Sequence, residues 1–478
     1  MLVKMIAALS ALVAFALALF WLPQPPTLGP QTTGDPALAA QVRGAAGTDG
    51  YQSLSVALIE HGRIRFAGLG AADGTRAADQ RTPYELGSIA KVMTGMLLAD
   101  LAEEGLSPDT PVRDLLPGAG LSTTATVAEL ASHRSGLPRL RTTPQAIAGA
   151  LLSTYTGGNP YRGAGPEVVL ADAAAVRVGE RGKVAYSNLG MALLGIALAE
   201  HSHTTYADLL RTRVLVPLGM TSTKALTPQD GLPPGHATGR AENGMAVDPW
   251  RAHGHAAAGV GVWSTAEDVA KLLHAVMTRT APGADAANPR WSQNERHRVG
   301  YGWFTTQYGN RAITWHNGGT GGFTSYTGFD RATGRGVVVL SNTDKPVDAV
   351  GLRLLGIEKP DGENRSPVMT VVMILFAFSG LGLAWSAARN RGADRLSVTG
   401  RGLWALLLLW VARNAGPWNG VPPVVWLAGA GVLAAAIALA VLRWPSLATG
   451  CTPVPWRSWI SVALPFALLI TFGVAVTL

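Results

Sequence analysis

Ser88-Ile89-Ala90-Lys91 holds a hydroxyl and an amine three residues apart, where the loop Glu85-Leu86-Gly87 runs into a stretch of helical periodicity. On a helix this spacing puts both side chains on one face, about one turn apart. An amine held there lowers the barrier to removing the serine proton, provided its surroundings suppress part of its own charge. The helix N-terminus adds backbone N–H groups and the positive end of a dipole, which suit an oxyanion. The alternative for the same tetrapeptide is a serine N-cap followed by a solvated lysine.

Two further groups of residues offer complementary chemistry. Tyr186-Ser187-Asn188 precedes a helical stretch; a phenol relays a proton to a nucleophile or leaving group, and an amide side chain both donates to and accepts from a substrate amide. His316-Asn317-Gly318 runs into Gly319-Thr320-Gly321-Gly322, where glycines allow close backbone approach to a ligand and the histidine supplies a proton donor or cation. This glycine run lies between two strand-like segments, so no helix N-terminus stands ready to receive a nucleotide phosphate. Tyr308-Gly309-Asn310 repeats the Tyr-x-Asn pattern but falls at a hairpin turn, where turn chemistry accounts for it. His253-Gly254-His255 and His201-Ser202-His203 have no third ligand nearby, and no metal or other cofactor is expected.

The elements that must position these groups follow from periodicity. Strand-like runs at Ser53 to Ile59 and Ile64 to Leu69 are joined across His61-Gly62, and four more lie at Tyr301 to Gln307, Ala312 to Trp315, Phe323 to Phe329 and Val337 to Ser341. Between these ends the pattern is helical. Apolar residues at 89, 92, 93, 96, 97 and 101 stop at Gly105, a second helix covers about 189 to 200, and capping boxes are suggested at Thr126 with Glu129 and Ser264 with Glu267. The expectation is an α+β domain over 42–358: one antiparallel sheet built from both ends, with a helical insertion packed beside it.

In this order the three groups resemble the serine β-lactamase and penicillin-binding-protein superfamily, specifically the branch with class C β-lactamases, DD-peptidases, D-aminopeptidases and related esterases. The flanking segments are similar too: Thr82-Pro83-Tyr84-Glu85-Leu86-Gly87, Leu101-Ala102-Glu103-Glu104-Gly105, His133-Arg134-Ser135-Gly136-Leu137-Pro138 and Pro217-Leu218-Gly219-Met220. The resemblance covers roughly residues 50 to 345. It implies that Ser88 is acylated, Lys91 helps to deprotonate it, Tyr186 shuttles a proton and Asn188 holds the acyl-side amide. His316 stands where lactamases carry lysine and would orient a substrate carboxylate or assist proton transfer. Gly318 and Gly319 line the substrate strand, and the N–H groups of Ser88 and Gly319 would form the oxyanion hole. Histidine in place of lysine leans towards the peptidase and esterase members. Asn317 in place of a hydroxyl residue puts hydroxyl recognition of a carboxylate in doubt.

Composition adds a membrane. Residues 5–22 are uncharged over 18 positions, with Lys4 before them, which suits a signal anchor whose N-terminus stays in the cytoplasm. Cleavage after Ala37-Leu38-Ala39 is the alternative, far from the apolar run. Residues 23–41, rich in proline, glycine and threonine, read as a linker. Apolar runs at 367–388, 402–412, 421–442 and 458–478 suggest a region of three to four transmembrane helices, with 402–412 the shortest. The formal charge of +8 is topological: residues 367–478 hold seven Arg, no Lys and one acid, Asp394. Their arginines cluster in the 389–401 and 443–457 loops on the expected cytoplasmic side. No nucleic-acid partner is implied. The lone Cys451 lies in one of these loops, so the exported domain has no disulfide.

The expected function is hydrolysis through a covalent acyl-enzyme, on cell-envelope D-amino-acid peptides, small esters or amides, or β-lactams, with the domain outside the cytoplasm. A membrane-anchored receptor for cell-wall fragments that uses the same fold for binding is the competing reading.

Overall fold

The computed structural model describes residues 2–358, 367–388, 394–448 and 460–468. Helix α1 (Leu2–Phe20) leads into strand β1 (Thr32–Gly34) and helix α2 (Pro36–Ala46). Strands β2 (Ser53–Glu60) and β3 (Arg63–Gly70) form a hairpin whose turn residues, His61 and Gly62, both have positive φ (51° and 76°), the geometry that matches strand twist. The helical insertion includes α3 (Ala90–Glu103), α4 (Pro144–Thr156), α5 (Asn188–His201) and α6 (Ala266–Met277). Strands β4 (Trp291–Ser292), β5 (His297–Val299), β6 (Phe304–Tyr308), β7 (Arg311–Gly319), β8 (Thr324–Asp330) and β9 (Arg335–Ser341) follow, then α7 (Asp348–Leu354).

The sheet runs β1-β3-β2-β9-β8-β7-β6-β5-β4 and every neighbouring pair is antiparallel. The two ends of the domain meet at β2 and β9, where Val56 pairs with Val339. Because successive side chains alternate faces, this seam feeds two cores. Ala57, Ile59, Val338 and Leu340 join the core shared with α3, α5 and α6. Leu54, Val56, Leu58, Val337 and Val339 join Leu38 and Val42 of α2 and Val350 and Leu354 of α7 on the other face. The α+β architecture expected from periodicity is therefore present, as a sheet covered on both faces.

Two local expectations are corrected. Residues 23–41 are not a free tether: Thr32 pairs with Leu69 in the edge strand β1, Leu28 is buried, and Asp35 caps α2 through the Leu38 N–H at 2.9 Å. Turn-rich composition signals irregular backbone but cannot report a sheet edge that supplies partners. At α6 the cap is Thr265, whose Oγ1 accepts from the Asp268 N–H at 3.2 Å, because Ser264 is still in a short strand, Val262–Ser264. The capping box at Thr126 and Glu129 forms in full around the short helix Val127–Ala131.

Beyond α7 lie α8 (Pro367–Ala377), α9 (Gly380–Ala388), α10 (Arg395–Ala415) and α11 (Val424–Arg443). Three helices among the described residues, α1, α10 and the stretch continuing α11, are long and apolar enough to cross a bilayer; α8 and α9, bent by 41°, together make a fourth candidate. The 402–412 run is thus part of a 21-residue helix. Most of the 458–478 run and Cys451 lie outside the described residues. Helix α10 meets the α+β domain at its C-terminal end: Asn243 Nδ2 donates to Asn414 Oδ1 at 2.9 Å, and the Asn419 N–H donates to Glu242 Oε1 at 3.1 Å.

Candidate active site

Ser88 sits in a single 3₁₀ turn, Gly87–Ile89, that leads directly into α3. Residue 87 has to be glycine: its φ is +56°, and a Cβ there would lie 2.6 Å from the Gly319 nitrogen. Gly318 meets the same turn from β7, where a Cβ would lie 2.0 Å from Leu86 O and 3.0 Å from Ser88 N. The Ser88 turn and strand β7 thus approach backbone to backbone, which brings the Ser88 and Gly319 amides to one place.

Lys91 and Tyr186 converge on Ser88 Oγ. Lys91 Nζ lies 2.7 Å from it, and the Tyr186 hydroxyl donates to it at 2.8 Å. Nζ also donates to Ala258 O at 2.5 Å and lies 5.0 Å from the Tyr186 ring centroid. Lys91 is fully buried, and burial together with the Arg139 guanidinium holds its amine well below the ordinary lysine range. A neutral amine has a lone pair with which to accept the serine proton. Burial pushes the Tyr186 phenol up to about 12, so at neutral pH it is a proton donor rather than a phenolate. Ser88, Asn188 and Gly319 line a cavity of about 100 Å³.

His316 and Gly318 stand behind this cavity. The His316 side chain is 1% exposed, its ring packs 6.3 Å from Tyr186 and 5.5 Å from Phe304, and Nδ1 lies 2.5 Å from Asn317 O. Burial lowers its pKa to about 3. The ring is enclosed against Tyr186 and Phe304, with little direct access to the cavity. Asn317 points to the opposite face of β7 and donates from Nδ2 to Asp348 Oδ1 at 2.7 Å. This follows from the two-residue period of a strand.

Four residues of the cavity wall went unassigned in the sequence: Arg139, Tyr161, Trp250 and His255. The first directly follows the His133-to-Pro138 segment, and the last belongs to the His-x-His pair weighed above as a metal motif. His253–Ala258 is a 3₁₀ helix, not a strand, so the alternate histidines do not share a face. His133 itself is fully buried, accepts the Ser187 N–H on Nδ1 at 3.2 Å, and packs 4.5 Å from the Tyr186 ring. It fixes the turn that presents Tyr186. Spacing along the chain carries no signal for such a contact, which joins residues more than fifty positions apart.

Comparisons with known proteins bear on the family and the fold. A family model described as Beta-lactamase matches residues 38–358. Penicillin-binding protein 4 of Amycolatopsis lactamdurans is 29% identical over 157 residues, 31% of this chain and 37% of the relative, so the similarity spans little more than a third of that protein. The crystal structure of a class C beta lactamase from Rhodobacter sphaeroides superposes with a TM-score of 0.54 at 23% identity, over 64% of this chain and 94% of that one, a likeness of fold. With the family match extending over two thirds of its length, the chain belongs to the beta-lactamase family.

Proposed function

We propose that the protein is a serine hydrolase working through a Ser88 acyl-enzyme on cell-envelope D-amino-acid peptides or on small esters and amides, β-lactams included. The observation that carries this reading is the meeting of Lys91 and Tyr186 at Ser88 Oγ, at 2.7 and 2.8 Å. In the acylation step, the Lys91 lone pair takes the Ser88 proton as Oγ bonds to the substrate carbonyl carbon. The carbonyl oxygen, now negative, is held by the Ser88 and Gly319 N–H groups. Collapse expels the leaving group, which receives the Tyr186 proton; Lys91 restores that proton to Tyr186 and returns to its neutral form. Asn188 holds the acyl-side amide. Water then attacks the ester by the reverse sequence and frees the acid.

The neutral, enclosed His316 in the place of a lactamase lysine favours peptidase or ester chemistry over a dedicated β-lactamase. The apolar helices at both ends support a place in the cell membrane with the catalytic domain on the extracytoplasmic side, anchored by residues 1–22 and the region 367–478. Protease treatment of intact and permeabilised cells tests that orientation. The chemistry is tested by labelling the full chain with a fluorophosphonate and a fluorescent penicillin beside Ser88→Ala. Label on the wild type that Ser88→Ala abolishes is the expected result, and absence of Ser88-dependent label with either reagent overturns the reading.

A further inference from the structure

The wall of the Ser88 cavity carries a cation and no anion. Ser88, Arg139, Asn188, Trp250 and Gly319 are among the residues that line it, and none of the lining residues is a carboxylate. Glu85, next to it in space through the Trp250 N–H, has a pKa raised to about 8 by burial and carries no charge at neutral pH. The Arg139 guanidinium lies 5.5 Å from the Tyr186 ring centroid, and no carboxylate forms an ion pair with it among the described residues. Its backbone is spoken for: Arg139 O accepts the N–H groups of Asn188 and Leu189, both at 3.1 Å. That contact locks Arg139 beside Asn188 at the start of α5 and leaves the side chain to the cavity.

Other buried polar atoms of the same wall are also unpaired. Trp250 Nε1, an obligate donor, and Asn188 Oδ1, an acceptor, have no hydrogen-bond partner among the described residues. Unpaired buried polar groups carry a desolvation cost that a ligand relieves. A guanidinium presents parallel N–H donors that match a carboxylate bidentately.

We propose that Arg139 forms an anion subsite on the acyl side of the cavity, so that the preferred substrate carries a carboxylate on the acyl moiety it transfers to Ser88. The inference rests on the acyl-enzyme reading above. In the bound substrate the reacting carbonyl oxygen faces the Ser88 and Gly319 amides and the acyl-side amide N–H donates to Asn188 Oδ1. The acyl side chain then reaches Arg139, the neighbour of Asn188. This places the charge-reading residue opposite the β7 strand, on the loop before α4, rather than at the His316 position.

Two thioesters identical except for charge test this: the α-thioesters of N-acetyl-D-glutamate and N-acetyl-D-glutamine, assayed on the full chain in detergent at low ionic strength. The wild type is expected to favour the glutamate ester by about tenfold in kcat/KM, the size of a charge-assisted hydrogen-bonded contact. Arg139→Gln is expected to bring the ratio to about one, and Arg139→Glu to invert it. The ratio between two substrates cancels any effect of Arg139 on the Lys91 amine. A wild-type ratio near one, or a ratio that Arg139→Gln leaves unchanged, overturns the subsite while leaving Ser88 labelling intact. Loss of Ser88-dependent fluorophosphonate labelling strikes the hydrolase reading instead. Ser88→Ala then decides the subsite by binding alone: quenching of Trp250 fluorescence by N-acetyl-D-glutamate but not by N-acetyl-D-glutamine supports it, and equal response to both refutes it.

Discussion

Lys91→Met replaces a buried amine by an uncharged side chain of similar length and asks directly whether the native amine is neutral. Lys91 is 0% exposed, and among the described residues the hydrogen-bond contacts of its amine are with Ala258 O and Ser88 Oγ, neither of them a carboxylate. Its folded pKa lies well below the ordinary 10.5. Between those two values the unfolded chain holds one more proton than the native state, so the stability contributed by this site rises with pH and levels off above 10.5. The slope is about 1.4 kcal/mol per pH unit for one proton. For a domain of this size that is a rise of about 2 °C in Tm per unit. Lys91→Met abolishes the slope, because methionine binds no proton in either state. The difference in Tm between wild type and Lys91→Met, followed by near-UV circular dichroism of the full chain in detergent from pH 7 to 9.5, is therefore expected to move in favour of the wild type by about 2 °C per unit. Groups common to both proteins cancel. Lys91→Met also loses Ser88 labelling. A Tm difference independent of pH would mean that the native amine is protonated at pH 7, and the proposed base would have no lone pair to use.

Tyr186→Phe removes the donor to the leaving group, so hydrolysis of an amide is expected to fall by about 10²–10⁴ in kcat, while a 4-nitrophenyl ester, whose leaving group needs no proton, falls far less; equal losses on both would contradict the assignment. Glu85, with a folded pKa near 8 against an ordinary 4.5, keeps its proton where the unfolded chain loses it, so it costs stability progressively as pH rises from about 4.5 to 8. Glu85→Gln is expected to flatten that decline in melting curves at pH 5, 7 and 9, and an unchanged pH dependence refutes the buried neutral carboxyl. Gly318→Ala puts a methyl 2.0 Å from Leu86 O and 2.3 Å from Ser325 Oγ. Loss of about 3 kcal/mol and of fluorophosphonate labelling is expected, and retained labelling rate refutes the backbone-to-backbone oxyanion site. Asn414→Leu strands the buried Asn243 amide, which is expected to cost about 1–3 kcal/mol and to speed proteolysis in the 240–245 loop; cleavage at the wild-type rate would show that α10 does not brace the domain.

Much of this protein is determined by local pattern. The apolar runs in Ser53–Glu60 and Arg335–Ser341, the helical run after Ser88 and the turn at His61-Gly62 each follow from the nearest few residues, since strand propensity, helix period and left-handed turn geometry are local properties. The Ser88–Lys91 spacing places hydroxyl and amine together through the same local geometry, and Tyr186, Asn188 and Gly319 stand out by residue type and by resemblance. Packing decided what those groups are able to do. Burial, with the Arg139 guanidinium nearby, holds the Lys91 amine well below the ordinary lysine range, and Arg139 is no neighbour of Lys91 in the chain. His316 has its pKa pushed down by burial against Phe304 and Tyr186, far from it in the chain or on another strand. Residues 23–41 look like a tether by composition, and become sheet and helix because the edge of β3 offers hydrogen-bond partners. Residue type and spacing are written along one dimension; burial, which sets protonation and the worth of every charge, is a property of three.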